Sequence, residues 1–116
     1  HECLNSLFRV TPPTAMIIQE PLLFSATQQF LAGRSLHVPN DISLICTDPH
    51  PASDWCRPSI AHFRWDNDIV LRRVVGWANN VSRGRKDVRQ GCAHAEFVEG
   101  GTIGPANPGG SPGTRP

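Results

Sequence analysis

A strand–helix–strand pattern in the first half of the chain limits the fold more than any other feature. Residues 14–19 (TAMIIQ) form a short apolar run with β-branched members, which is typical of a buried strand. Pro21 then suits the first turn of a helix, whose apolar positions recur at helical spacing up to about Gly33. These positions are Leu22, Leu23, Ala26, Phe30 and Leu31. Residues 42–46 (ISLIC) form a second buried strand, and this order predicts a right-handed βαβ crossover within a parallel sheet.

Further elements on both sides of this pattern complete the predicted architecture. Residues 2–9 place apolar side chains at helical spacing, and the Thr-Pro-Pro that follows must end that helix, because proline lacks an amide donor. Residues 59–65 (SIAHFRW) alternate like a strand with two different faces. Asp66 suits the N-cap of a helix that ends near Gly84, and residues 95–100 (AEFVEG) predict a last strand. The apolar stripe of that helix consists of Ile69, Val70, Val74, Trp77 and Val81. The predicted fold class is α/β.

Size and charge exclude several classes of protein. A chain of 116 residues has room for one ordinary domain. Its 11 Lys and Arg residues nearly balance its 10 Asp and Glu residues, so no long-range field gathers nucleic acid or an anionic membrane surface. Apolar runs are only a few residues long, so we expect no membrane partner, and the first residues show no secretory signal.

The cysteines and histidines show no spacing that is typical of a metal or redox site. The chain has 4 cysteines without a CxxC pair, and no two of its 5 histidines lie four residues apart on a helix. Cys46 lies inside an apolar run and is expected in the core, while the other three are expected to be reduced thiols. We therefore expect no metal, no cofactor and no disulfide framework, and a cytoplasmic location.

Two carboxylates follow the predicted parallel strands. Asp48 comes directly after the strand that ends at about Cys46, and Glu20 closes the strand 14–19 just before Pro21. Open parallel sheets bind ligands beyond the carboxyl ends of their strands, and ionised carboxylates accept strong hydrogen bonds from a polyol. The alternative is that both side chains only cap a helix or a turn. This alternative is weaker for Asp48, because no predicted helix begins directly after it.

Three stretches of the sequence resemble the C-terminal part of the LacI/GalR family of bacterial transcription regulators. They are VPNDISLICTD (38–48), PSIAHFRWD (58–66) and AEFVEGGTIGP (95–105). In that family a strand of the form V-P-x-D-[IV]-S-[VL] ends in an Asp, a strand of the form P-P-L-T-T-[VI] follows, and an ending like R-G-[ST]-T closes the domain. PSIAHF is most similar to a subgroup of sugar-type regulators that carry P-S-V-A-R-[YF] there. The resemblance covers about residues 2–105.

The resemblance implies a periplasmic-binding-protein-like type I effector domain, in which a small sugar lies between two three-layer α/β lobes. By position, Asp48 matches the sugar-contacting Asp of the family. Glu20 falls where the family usually has the Asn of an Asn-Asp pair, and Pro21 replaces that Asp, which implies a different or weakened effector specificity. Trp65 lies close to the strand that crosses between the lobes, where it either stacks on a sugar face or packs beside the hinge.

The resemblance also implies how the chain is divided. Residues 1–103 would be the C-terminal portion of a sugar-binding effector domain, with about 1–65 from the second lobe and 66–103 from the first, and 104–116 would be a disordered tail. Such a regulator binds operator DNA as a homodimer through an N-terminal helix-turn-helix domain, and the ligand controls that binding allosterically. We expect this chain to be a partial domain without a helix-turn-helix of its own.

The residues alone leave two other functions open. A sugar-binding protein of a transporter shares the fold, and an upstream signal peptide would indicate it. Glycoside hydrolysis by an acid pair such as Glu20 and Asp48 is the second, but no nucleophile with an adjacent base and no phosphate-binding glycine loop is present in the sequence. We therefore do not expect an enzyme.

Overall fold

The computed structural model describes residues 2–48 and 50–105, and the predicted order of elements is confirmed within them. The helices are α1 (Glu2–Val10), α2 (Pro21–Ala32) and α3 (Asn67–Ser82), with a 3-10 helix at Pro51–Trp55. The strands are β1 (Ala15–Ile18), β2 (Ser43–Cys46), β3 (Ala61–Trp65) and β4 (Ala95–Val98). The predicted tail 104–116 falls, beyond Pro105, outside the described residues.

The strands form one four-stranded sheet in the order β1-β2-β3-β4. β1 pairs with β2 in parallel, with Ala15 opposite Ser43 and Ile18 opposite Cys46. β2 pairs with β3 in parallel as well, with Ile45 opposite Ala61. The strand–helix–strand prediction is thus confirmed, and the fold is α/β with a mostly parallel sheet.

The chain divides into two compact units. Unit 1 comprises the described residues up to Phe63 and those from Phe97 to Pro105, and unit 2 is Arg64–Glu96. Unit 1 contains α1, β1, α2, β2 and the 3-10 helix. Unit 2 contains α3. The assignment of residues 1–65 and 66–103 to two lobes stays a prediction.

The core of unit 1 lies between the helices and the sheet. α1 contributes Phe8, and its ring packs 5.5 Å from the ring of Phe30 on α2. Arg34 stacks over both rings, 4.6 Å from the centroid of Phe30, and joins the two helices further by donating a hydrogen bond to Asn5. The buried apolar residues are Phe8, Ile18, Phe24, Phe30, Leu31, Ile42, Leu44, Cys46 and Ile60.

The prediction of which α2 residues face the core is wrong in the first turn of the helix. Leu22 is 75% exposed and Leu23 is also exposed, whereas Phe24 is only 1% exposed and Thr27 is buried. The helix sequence is apolar on most of its circumference, so spacing alone does not define which side meets the sheet. β1 is likewise less buried than predicted, because Ile17 is 69% exposed at this edge of the sheet.

α3 begins and ends as the sequence predicts. The Asp66 side chain accepts hydrogen bonds from the amides of Asp68 and Ile69, at 3.0 and 3.4 Å. Gly84 follows the helix with a φ of 68°, a conformation that favours glycine. None of the residues of α3 is buried in the structure described, and the predicted apolar stripe is partly exposed along its length.

The segment 100–104 crosses β2 and β3 and holds their beginnings together. The Thr102 hydroxyl donates to the carbonyl of Leu44 at 2.7 Å and accepts from the amide of Ala61 at 2.9 Å. Ser43 and Gly104 exchange two further hydrogen bonds, at 3.1 and 3.3 Å. A Cβ at Gly100 would lie 2.7 Å from the carbonyl oxygen of Ser59, so only glycine permits this close approach.

Candidate functional site

The two predicted carboxylates lie just beyond the carboxyl ends of two neighbouring strands. Ile18 and Cys46 end β1 and β2 and are partners in the parallel register. The amide of Thr47 donates to the carbonyl of Ile18 at 2.9 Å, which continues the pairing one residue further. Glu20 and Asp48 therefore follow equivalent positions of two strands that run about 4.8 Å apart. The sequence located both residues correctly at the carboxyl ends of neighbouring strands.

Glu20 occupies the N-cap position of α2 but does not cap it with its side chain. Its backbone is extended, with φ −97° and ψ 132°, and its side chain makes no capping hydrogen bond. Its carbonyl accepts the amide of Phe24 at 2.9 Å and so begins the helix. Pro21 has no amide to cap. The exposed carboxylate is consequently left available at the strand end.

Asp48 caps no helix either. The 3-10 helix begins only at Pro51, and the side chain of His50 caps it by accepting a hydrogen bond from the amide of Ala52 at 3.1 Å. Within residues 2–48 and 50–105, the side chains of Asp48 and Glu20 have no hydrogen-bond or ion-pair partner. Two solvated carboxylates at one sheet edge can each accept hydrogen bonds from ligand hydroxyls.

The thiol of Cys46 lies close to Asp48. Burial raises the pKa of this thiol, the backbone amide of Asp48 lowers it by hydrogen bonding to the sulphur, and the Asp48 charge raises it again. Cys46 is buried as predicted, and the four cysteines are free thiols. The negative charge of Asp48 therefore acts on the thiol of Cys46, the last residue of β2.

An apolar cavity of about 350 Å³ opens beside the carboxyl ends of β1 and β2. Leu22, Phe24 and Ile60 provide its apolar walls. Cys46, Cys56 and His50 also line it. The cavity therefore adjoins both predicted carboxylates along the chain, since Pro21 in its wall follows Glu20 and His50 comes two residues after Asp48. Sequence patterns gave no signal for it, because its walls come from a helix, two strand ends and a loop.

A second cavity, of about 240 Å³, shares Ser53 and Ile60 with the first. Asp54, Glu99 and His62 line it, and its remaining walls include Ser53 and Ser59. The Nδ1 atom of His62 lies 2.8 Å from the carbonyl of Ile60. Within the part of the chain that the structure describes, no group of three His, Cys, Asp or Glu side chains could hold a metal ion.

Trp65, the third predicted site residue, lies in unit 2. It is the last residue of β3 and is partly exposed. Glu20 and Asp48 thus both belong to unit 1, whereas Trp65 belongs to unit 2. Its contact with a ligand stays a prediction. Among the described residues, no helix is both long and apolar enough to cross a membrane.

Two solved structures share the fold of this chain. One is a sugar-binding transcriptional regulator of the LacI family from Escherichia coli, complexed with phosphate, with a TM-score of 0.71 and 13% identity over 88% of this chain and 37% of that chain. The other is a LacI family transcriptional regulator from Bifidobacterium animalis subsp. lactis, with a TM-score of 0.77 and 20% identity over 91% of this chain and 40% of that chain. The chain therefore spans well under half the length of either regulator.

No protein-family model and no curated protein matches the sequence. At the identities of the two structural neighbours, the match establishes the fold. It is the periplasmic-binding-protein-like α/β fold that the sequence resemblance implied, present here as a partial domain.

Proposed function

We propose that this chain is the effector-binding part of a LacI-type transcriptional regulator that senses a small sugar-like molecule. The observation that carries the proposal is the pair of carboxylates, Glu20 and Asp48, that extend without side-chain partners among the described residues from register-equivalent ends of β1 and β2. The fold shared with two LacI-family regulators, one of them named as sugar-binding, supports it.

The chemistry of the carboxylates limits what such a ligand presents. An ionised carboxylate accepts hydrogen bonds and donates none, so each of these contacts requires a hydroxyl or other donor on the ligand. Asp48 supplies the principal contact and Glu20 the second. A carboxylate in place of an amide at residue 20 therefore selects ligands that donate at both positions.

The ligand controls DNA binding by its preference for one arrangement of the two lobes. A ligand that binds one arrangement of two lobes more tightly than another shifts the population towards that arrangement. In this proposal residues 1–65 and 66–103 belong to the two lobes, the protein acts as a homodimer in the cytoplasm, and operator DNA is bound by a helix-turn-helix domain outside these 116 residues. The chain itself has a role in sensing and none in catalysis.

A titration of the chain with a panel of pentoses and hexoses tests the sensing role. We expect one sugar to shift the amide resonances of residues 17–20, 22–23 and 46–48 in an NMR spectrum. Asp48→Asn should weaken that binding about tenfold or more, because it removes a charged acceptor. Asp68→Asn removes the same charge from unit 2 and serves as the matched control. Unchanged affinity in Asp48→Asn, or no response to any sugar, would contradict the proposal.

The genomic reading frame upstream of residue 1 tests the regulatory role. A helix-turn-helix coding segment in frame supports a regulator. A secretory signal peptide in frame would instead indicate the transporter alternative and overturn the proposal.

A further inference from the structure

We propose that the molecule recognised at this site is amphiphilic, with hydroxyls that meet Asp48 and Glu20 and one apolar group, of about the size of a phenyl ring, that enters the neighbouring apolar cavity. This inference rests on the proposed function, because it extends the ligand from the carboxylates into unit 1. It goes further by naming a chemical class: a sugar with an apolar substituent rather than a free sugar.

The size and lining of the cavity carry the apolar half of the proposal. Small-molecule sites are concave, mostly apolar, and fixed by a few polar groups. The cavity holds about 350 Å³ and its walls include Leu22, Phe24 and Ile60. An apolar cavity of about 150 Å³ is already large enough to bind benzene. A phenyl or short alkyl group therefore fits with room to spare.

The exposure of Leu22 supports the same conclusion. Leu22 is 75% exposed at the first turn of α2, although Phe24, two residues on, is fully buried against the core. An apolar ligand group packed against Leu22 would remove part of this side chain from water, which is favourable in proportion to the area covered.

The position of the cavity links it to the carboxylates. Cys46 lines the cavity, and the Asp48 amide and carboxylate both act on the Cys46 sulphur. Pro21 also lines it and directly follows Glu20. Neither carboxylate lines the cavity, but Cys46, in its wall, ends β2 two residues before Asp48. A single small molecule can thus span the two.

His50 is suited to bind the ligand where its hydroxyl-bearing part joins its apolar group. Its Nδ1 accepts the amide of Ala52 at 3.1 Å, so the proton of a neutral ring lies on Nε2. His50 also lines the cavity. Its Nε2 can donate a hydrogen bond to a ligand hydroxyl that lies next to the apolar substituent.

The test compares methyl and phenyl β-glycosides of glucose and galactose, with benzyl alcohol as a probe of the cavity alone. We expect a phenyl glycoside to bind the wild-type chain about tenfold or more tightly than its methyl partner, because the ring leaves water. Ser25→Leu places a larger side chain in the cavity wall and should remove this advantage. Ala26→Leu changes the next residue of α2, which is exposed and outside the cavity, and should keep it.

Thiol alkylation gives a second readout. Cys56 lines the cavity, whereas Cys3 is exposed on α1. A saturating phenyl glycoside should slow the alkylation of Cys56 by N-ethylmaleimide several-fold and leave Cys3 unchanged, as measured by peptide mass spectrometry.

The outcomes separate this inference from the proposed function. Equal binding of methyl and phenyl glycosides, lost in Asp48→Asn, would overturn the inference and leave the sugar-sensing proposal standing. Binding of benzyl alcohol that Ser25→Leu abolishes, without any response to the glycosides, would show that the cavity takes an apolar group but would overturn both the inference and the sugar-sensing proposal. Failure of the phenyl glycosides and of benzyl alcohol to bind would overturn the inference whatever the methyl glycosides do.

Discussion

The hydroxyl of Thr102 joins three segments that are far apart in the sequence. It donates to Leu44 on β2 and accepts from Ala61 on β3, and the side chain is fully buried. Thr102→Val keeps the shape and removes both hydrogen bonds, which leaves a buried amide unsatisfied. We expect a loss of about 1–3 kcal/mol in the free energy of unfolding, measured by urea denaturation with circular dichroism.

Thr11→Val is the matched control for this substitution. Thr11 follows α1 and is exposed, so the same chemical change there should alter stability by less than about 0.5 kcal/mol. Equal effects of the two substitutions would show that the Thr102 hydrogen bonds contribute little.

At the scale of single residues, the sequence predicted the strand ends better than the side chains that hold the strands together. Asp48 and Glu20 were located from local signals, namely an apolar run followed by a turn or a helix start. The role of Thr102 depends on partners 41 and 58 residues away, so no local pattern contains it. The apolar cavity depends on such distant neighbours too, and was not predicted.

Among the elements, α3 depends on its ends, because none of its described side chains is buried. The Asp66 carboxylate satisfies two amides at the start of the helix. Asp66→Ala should cost about 1 kcal/mol of stability, measured by thermal unfolding of the helix signal. Asp66→Asn, which retains the acceptor oxygen, should recover most of the loss. A full loss in the Asn variant would instead point to the charge.

The C-terminal side of α3 is held by a cluster around Asp87. Its side chain is 3% exposed and forms ion pairs with Arg73 and Arg89, with oxygen–nitrogen distances of 2.8 and 2.9 Å. Asn80 donates a further hydrogen bond at 2.8 Å. Hydrogen bonds from Arg89, Asn80 and Arg73 hold the pKa of Asp87 well below its usual range. The segment after Gly84 is thereby attached to the helix.

This cluster predicts how unit 2 responds to acid. A carboxyl group with a lowered pKa in the folded state stabilises that state above its unfolded pKa of about 3.9, and the contribution is lost as the pH falls from there towards the folded pKa. The wild-type chain should therefore melt at a higher temperature than Asp87→Asn at pH 7, with a difference that stays constant to about pH 5 and shrinks below about pH 4.

An NMR titration of the Asp87 carboxyl carbon provides the direct check. Its shift should stay flat in the folded chain down to about pH 3 and titrate near 3.9 when the chain is unfolded in urea. A folded-state midpoint near the unfolded value would show that the cluster does not hold the charge.

The order and type of the elements were predictable because each has a local signal. Asp66 and Gly84 bracket α3, and Pro21 marks the start of α2. The 3-10 helix at Pro51–Trp55 was not predicted. Which face of an element is buried was harder to predict. The α2 sequence offers apolar residues on most sides, so contact with the sheet decides that Phe24 is buried and Leu22 is not.

For the whole molecule, the two units should differ in local stability. Leu31 and Leu44 are fully buried in unit 1, whereas no described residue of α3 in unit 2 is. Amides with few buried neighbours exchange through local opening at low free-energy cost. We expect the amides of β2 and α2 to exchange at least about tenfold more slowly than those of α3, measured by hydrogen exchange with NMR. Equal protection in both units would contradict this.

The route of the chain through unit 1 has a practical consequence. The chain leaves unit 1 after Phe63 and returns at Phe97, and the two rings lie 5.5 Å apart, edge to face. The positions of departure and return therefore meet through their side chains. For protein engineering, residues 66–94 therefore form the segment to exchange for a reporter domain, because β3 and β4 on either side of it are then kept whole.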